Sequence, residues 1–143
     1  MIVRCLRLHE DASLPTQAYV GDAGFDLRSV ARVELPPHGR SLVPCGFAIE
    51  LPAGTCALVL PRSGLAARHG VTCLNAPGLV DSGYRGELTV CLHNTDARST
   101  FVVEPGMRVA QLLVMPLPYV HFEDVDLLSA SRRGGEGFGS SGL

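Results

Sequence analysis

Glu87-Leu88-Thr89-Val90-Cys91-Leu92 alternates polar or small side chains with apolar ones, the pattern of a β-strand with one face in a core and one face out. Reading outward, other short apolar runs rich in β-branched residues recur along the chain. They are Ile2 to Leu8, Ser41 to Leu51, Cys56 to Leu60, Val71 to Asn75, Glu87 to Asn94, Phe101 to Glu104 and Val109 to Met115. Sixteen glycines and ten prolines lie between and around them, leaving little room for long helices. Only Gly64 to Arg68 reads as helical, for about one turn. Many short strands separated by regular turn signals predict an all-β barrel or sandwich, with no internal repeat.

At 143 residues the chain predicts one domain, long enough to bury a core without metal or disulfide staples. Composition changes at Ser131. Residues 1–130 read as the domain and 131–143 as a flexible arm, in which glycine occupies nearly every other position. In isolation that arm is either a frayed terminus or a segment that orders only on a ligand.

The formal net charge of −2 supplies no basic field to draw nucleic acid or anionic lipid, so neither is expected as a partner. Any anion must be held by local charge, and all 12 basic residues are arginine. No apolar run approaches bilayer-spanning length, and Arg4 and Arg7 interrupt the N-terminal one, so no signal peptide is read there. The five cysteines are odd in number and include no C-x-x-C pair, which argues against a secreted disulfide framework and for a cytoplasmic location. His69, Cys73, Cys91 and His93 have spacings that could converge on a metal, but the cysteines alternate with apolar neighbours and read as structural thiols.

Three segments carry chemistry. Pro61-Arg62-Ser63-Gly64-Leu65-Ala66 follows a strand and opens the helical turn, placing a guanidinium and a hydroxyl beside N–H groups that could hold an anion. Ala23-Gly24-Phe25-Asp26-Leu27 puts one carboxylate after a glycine turn, where it could equally stabilise the turn. Asn75 to Glu87 reads as two strands flanking a glycine-shaped hairpin loop, with Asp81 three residues before the ring of Tyr84. Each segment alone also has an ordinary turn reading.

Taken in order, AGFDL at 23–27, PRSGLA at 61–66, GLVDSGYRGEL at 78–88, GMRVAQLLV at 106–114 and RGGEGFGSSG at 133–142 resemble the five motifs of the trimeric dUTP pyrophosphatases, or dUTPases. The resemblance implies a jelly-roll-like β-barrel, assembled as a homotrimer whose sites draw motifs from three subunits. It implies hydrolysis of dUTP to dUMP and pyrophosphate with Mg²⁺ on the triphosphate, which keeps uracil out of DNA and supplies dUMP for dTMP synthesis. Asp81 would be the general base that deprotonates a water for in-line attack on the α-phosphorus. Tyr84 would lie beneath the deoxyribose and exclude a 2′-hydroxyl. Backbone around Gly78, Val80 and Leu88, with the side chain of Asn75, would read uracil.

By the same resemblance Arg62, Ser63, Gly64 and Gln111 would bind phosphate, and Arg108 would be a salt-bridge partner. Asp26 would support the metal's water shell and the Arg62 guanidinium. In the arm, Arg133, Gly139, Ser140 and Ser141 would close over the γ-phosphate and Phe138 would stack on uracil. Glu136 departs from the family, which usually has a small residue there. Two other readings share the scaffold. One is a dCTP deaminase, or a bifunctional deaminase–dUTPase, whose Arg-Ser-Ser sequence is Arg62-Ser63-Gly64 here. The other is a non-catalytic dUTP-binding regulator.

Overall fold

The computed structural model describes residues 1–132, 134 and 135. Ten strands and one short helix follow in the order β1 (Arg4–Arg7), β2 (Phe25–Arg28), β3 (Val33–Leu35), β4 (Arg40–Glu50), β5 (Thr55–Leu60), α1 (Ser63–His69), β6 (Val71–Cys73), β7 (Gly78–Asp81), β8 (Glu87–Asn94), β9 (Phe101–Val103) and β10 (Arg108–Pro116). They form two four-stranded sheets, ordered β1-β4-β8-β6 and β2-β10-β5-β7, and a small β3-β9 pair. Every pairing is antiparallel. The all-β, jelly-roll-like expectation holds.

One apolar core joins the sheets. Val43, Phe47, Val90 and Leu92 enter it from the first sheet, Leu27, Ala57, Ala110 and Leu112 from the second, and Leu35 and Val103 from the small pair. The alternation along β8 sends Leu88, Val90, Leu92 and Asn94 inward, while Thr89 stays exposed. Truncating a leucine buried this completely to alanine typically costs about 2–5 kcal/mol. Asn94 is fully buried yet satisfied. Its amide nitrogen donates to the carbonyls of Leu35 at 3.0 Å and Ser99 at 2.8 Å, and its oxygen accepts from Asp96 N–H at 3.0 Å.

Two local features position the site. β4 is irregular between Pro44 and Ala48, where its register against β8 shifts around Gly46. The helical turn, extended by a residue at each end of its predicted span, stops at Gly70, whose left-handed φ of 61° suits a helix C-terminus. The sequence reading differs from the fold at three short strands, β2, β3 and β7, in each of which an acidic residue, Asp26, Glu34 or Asp81, breaks or ends the apolar run. It also differs in kind at 75–86. β6 pairs with β8, but β7 pairs with β5, so this segment crosses from one sheet to the other and is not a simple hairpin. The free edge of β5 makes the difference, because it accepts Gly78 to Asp81 as a fourth strand.

Candidate active site

β7 pairs with β5 from Cys56 opposite Asp81 to Val59 opposite Gly78. Its side chains alternate, with Gly78 and Val80 buried and Leu79 and Asp81 exposed. The strand follows a cis Ala76–Pro77 peptide and ends in a turn in which Tyr84 N–H donates to the Asp81 carbonyl at 3.0 Å. The Arg85 guanidinium donates to the carbonyls of Ser82 at 2.7 Å and Tyr84 at 2.8 Å, knitting the turn from within. The Tyr84 hydroxyl donates to the Glu87 carbonyl at 2.9 Å, which fixes the ring at the start of β8.

These elements enclose a cleft of about 190 Å³. Asn75, Gly78, Val80, Asp81, Tyr84 and Leu88, all singled out in the sequence, line it together. Val59, Leu79, Glu87, Thr89 and Cys91 line it too and were not read as cleft residues, Cys91 having been weighed only as a metal ligand or structural thiol. For Glu87, Thr89 and Cys91 the sequence signal was the alternation of β8, which tells that they leave the core but not that they border a cleft. The lining is about equally polar and apolar, and its side chains include two carboxylates, Asp81 and Glu87, one amide and one phenol. Such a cleft takes a small flat group and reads its polar edge.

A second cleft, of about 380 Å³, is lined by Ala18, Asp22, Ala23, Gly24, Asp26, Arg62, Ser63, Gly64, Arg108 and Gln111. Here β2 and β10 set Asp26 opposite Gln111. The Asp26 side chain is only 15% exposed and sits between two cations, Arg62 Nε at 3.5 Å and Arg108 at 3.1 Å. The Arg62 guanidinium also donates to the Arg108 carbonyl at 3.0 Å, and the Gln111 amide donates to the Pro61 carbonyl at 3.0 Å. The carboxylate thus holds both guanidiniums in place, beside the first turn of α1, where N–H groups have no partner within a helix. Fixed arginines next to free N–H groups favour phosphate oxygens.

The two clefts share no lining residue. Asp81 lies opposite Cys56 at one end of β5, whereas Gln111 lies opposite Leu60 at the other. Those two positions are four residue steps apart along β5, about 13 Å at the usual rise. The described residues therefore form two separate clefts rather than one.

The possible metal set does not assemble. His69 packs against the Phe101 ring at 5.1 Å, and His93 Nδ1 is hydrogen-bonded with the Gly39 carbonyl at 3.1 Å. Among the described residues no three His, Cys, Asp or Glu side chains converge as a ligand set. Burial pushes the Cys73 thiol up to about 11, with the nearby Cys91 adding to the shift. Burial, then the Glu87 carboxylate, pushes Cys45 up to about 12, so both are unreactive thiols at neutral pH. Arg133, Glu136, Phe138, Gly139, Ser140 and Ser141 lie outside the described residues.

Comparison with known proteins gives one family. Residues 10–142 match the model of the dUTPase family. The deoxyuridine 5′-triphosphate nucleotidohydrolase of Leifsonia xyli subsp. xyli is 52% identical over 129 residues, covering 90% of this chain and 85% of that protein. The protein of the same name from Gloeothece citriformis is 46% identical over 143 residues, covering 100% of this chain and 98% of its own. Among solved structures, a Staphylococcus bacteriophage 80alpha dUTPase with dUPNHPP superposes with a TM-score of 0.90 at 26% identity, covering 99% of each chain. A dUTPase of phage phi11 of S. aureus, whose structure details the coordination of a structural Mg(II) ion, superposes at 0.81 with 22% identity, over 89% of this chain and 98% of its own. At that identity the likeness concerns the fold.

Proposed function

The chain belongs to the dUTPase family, and on that premise we propose how its residues hydrolyse dUTP to dUMP and pyrophosphate. The uracil ring enters the cleft beneath β7, where backbone around Gly78, Val80 and Leu88 and the Asn75 side chain read its edge. The close walls leave no room for the 5-methyl group of thymine, and the exocyclic donor of cytosine would meet a donor. Tyr84 closes the sugar side, and a 2′-hydroxyl against its fixed ring would cost about 1–3 kcal/mol. Asp81, at the rim, accepts a proton from a water whose oxygen attacks the α-phosphorus. The bond to the bridging oxygen breaks, and pyrophosphate leaves in line.

The phosphates take the second cleft, with Arg62, Ser63, Gly64 and Gln111 on their oxygens. Among the described residues this arginine-lined cleft offers no carboxylate cluster for a metal, so Mg²⁺ would be held by the triphosphate oxygens and its own waters. The Asp26 oxygens are already turned to Arg62 and Arg108, so that carboxylate reaches such an ion through water. When bound, the ion neutralises phosphate charge. Arg133, Gly139, Ser140 and Ser141 of the 131–143 arm would close on the γ-phosphate, and Phe138 would stack on uracil.

The separation of the two clefts supports a further element of the reading. Arg62 and Asp81 of one copy line different clefts, and a homotrimer with shared sites, in which another copy's Arg62 meets the phosphates, is the assembly we propose. A cytoplasmic location is the reading that five unpaired thiols support. No helix among the described residues is long and apolar enough to cross a membrane.

One observation carries the assignment: Asp81 and Tyr84 share a single cleft with the three backbone positions and Asn75. Asp81→Asn is expected to keep dUTP binding and to lose at least about a hundredfold in turnover. Pyrophosphate release from dUTP, dTTP, dCTP and UTP, with and without Mg²⁺, checks the rest. Near-wild-type turnover of the variant would remove Asp81 as the base. Ammonia release from dCTP would instead favour the deaminase, and tight dUTP binding without pyrophosphate release would favour the regulator.

A further inference from the structure

We propose that Glu87 is the positioning residue that holds the sugar-checking ring in place, acting through the irregular turn of β4; this rests on the role given to Tyr84 above. Glu87 is fixed at both ends. Its carboxylate accepts the Gly46 N–H at 2.7 Å, and its carbonyl accepts the Tyr84 hydroxyl at 2.9 Å. Gly46 is itself immovable. It is buried with φ of 74°, and a Cβ there would fall 2.7 Å from Val30 Cγ1 and 3.0 Å from Ala12 Cβ. Its carbonyl accepts two further N–H groups, from Leu8 at 2.8 Å and His9 at 3.0 Å.

The consequence is mechanical. The register shift leaves residues 45–47 of β4 without partners between the Pro44–Thr89 and Ala48–Glu87 pairs, and the side chain of Glu87 reaches across to Gly46 within that gap. Glu87 stays opposite Ala48 in the ladder, so without its side chain the start of β8 loses its tie across the irregular turn to Gly46, and the carbonyl that receives Tyr84 is held less firmly. A buried Gly46 N–H would also be left without an acceptor. Glu87 needs no charge for this task, only an acceptor oxygen at the right reach.

The test compares Glu87→Ala and Glu87→Gln in the full-length protein, with Tyr84→Ala alongside. Amide exchange at Gly46 is expected to accelerate at least about tenfold in Glu87→Ala and to stay within about twofold of wild type in Glu87→Gln, whose amide oxygen still accepts. The ratio of kcat/KM for dUTP over UTP should fall at least about fivefold in the alanine variant, mainly through KM, and be largely retained in the glutamine variant. Unchanged Gly46 protection in Glu87→Ala would overturn the proposal. So would lost protection with an intact dUTP:UTP ratio, if Tyr84→Ala does lower that ratio. If Tyr84→Ala leaves the ratio unchanged, the sugar-checking role falls, and the Gly46 exchange alone then decides whether Glu87 holds the turn.

Discussion

Tyr84 lies across Gly86 so closely that a Cβ on that glycine would fall 2.5 Å from the phenol oxygen and 2.7 Å from Cζ of the ring. The contact explains why a residue without a side chain stands between the ring and Glu87. Any methyl group there must push the ring off its hydrogen bond to the Glu87 carbonyl. Gly86→Ala is therefore expected to lower kcat/KM for dUTP about tenfold, equivalent to about 1.4 kcal/mol. It should erode discrimination against UTP in step, because the displaced ring no longer blocks a 2′-hydroxyl. Steady-state kinetics with both nucleotides checks this, and an unchanged ratio would mean that the ring does not select the sugar. At this scale the sequence was informative wherever a residue's chemistry is unusual for its surroundings. Asp81, Tyr84 and Arg62 stand out because a carboxylate, a phenol and a guanidinium sit in glycine-rich turns. Glu87 and Thr89 did not stand out, since a polar side chain on an alternating strand looks like an ordinary outward position. The Asp26–Arg108 pair joins residues 82 positions apart, a proximity that only the β2–β10 register creates.

The elements were legible where apolar residues run unbroken or alternate. β8 alternates over its 8 residues, and β4, with 11, carries a long apolar run that is buried from Cys45 to Ile49. β7 has four residues between a Pro-Gly and a Ser-Gly turn, and it becomes a strand only because β5 offers an unpaired edge. That is a tertiary cause, which local pattern cannot report. Residues 131–143 are the opposite case, a stretch read as an arm from composition alone. Among the described residues the apolar core and the side chains packed on it end at Val114, before the arm begins. Removing everything after Ala130 is therefore expected to leave the melting temperature and the oligomeric size unchanged. Loss of the proposed Phe138 stacking and Arg133 contact should cut kcat/KM for dUTP at least about tenfold, the scale of one base–aromatic contact. Thermal denaturation, light scattering and pyrophosphate release measure the three quantities. Full activity in the shortened chain would reduce residues 131–143 to a terminus.

For the whole molecule the decisive fact is that β5 keeps the two clefts apart. If a working site takes Asp81 from one copy and Arg62 from another, two different inactive chains can repair each other. Asp81→Asn and Arg62→Ala should each reduce turnover at least about a hundredfold when every copy carries the change. Unfolded, mixed in equal amounts and refolded together, they should assemble at random. A site is then intact when its Asp81 comes from the Arg62→Ala chain and its Arg62 from the Asp81→Asn chain. Each condition is met in about half of cases, so about a quarter of sites regain both groups. Turnover of the mixture is expected to rise to about a quarter of the wild-type value, well above the average of the two parents. If instead both residues of a site belong to one copy, no mixed assembly contains an intact site, and the activity stays at that average. The two outcomes differ by more than tenfold, which makes the measurement independent of small losses during refolding. It also separates shared sites from mere oligomerisation, because a trimer with self-contained sites would assemble equally well and yet recover nothing.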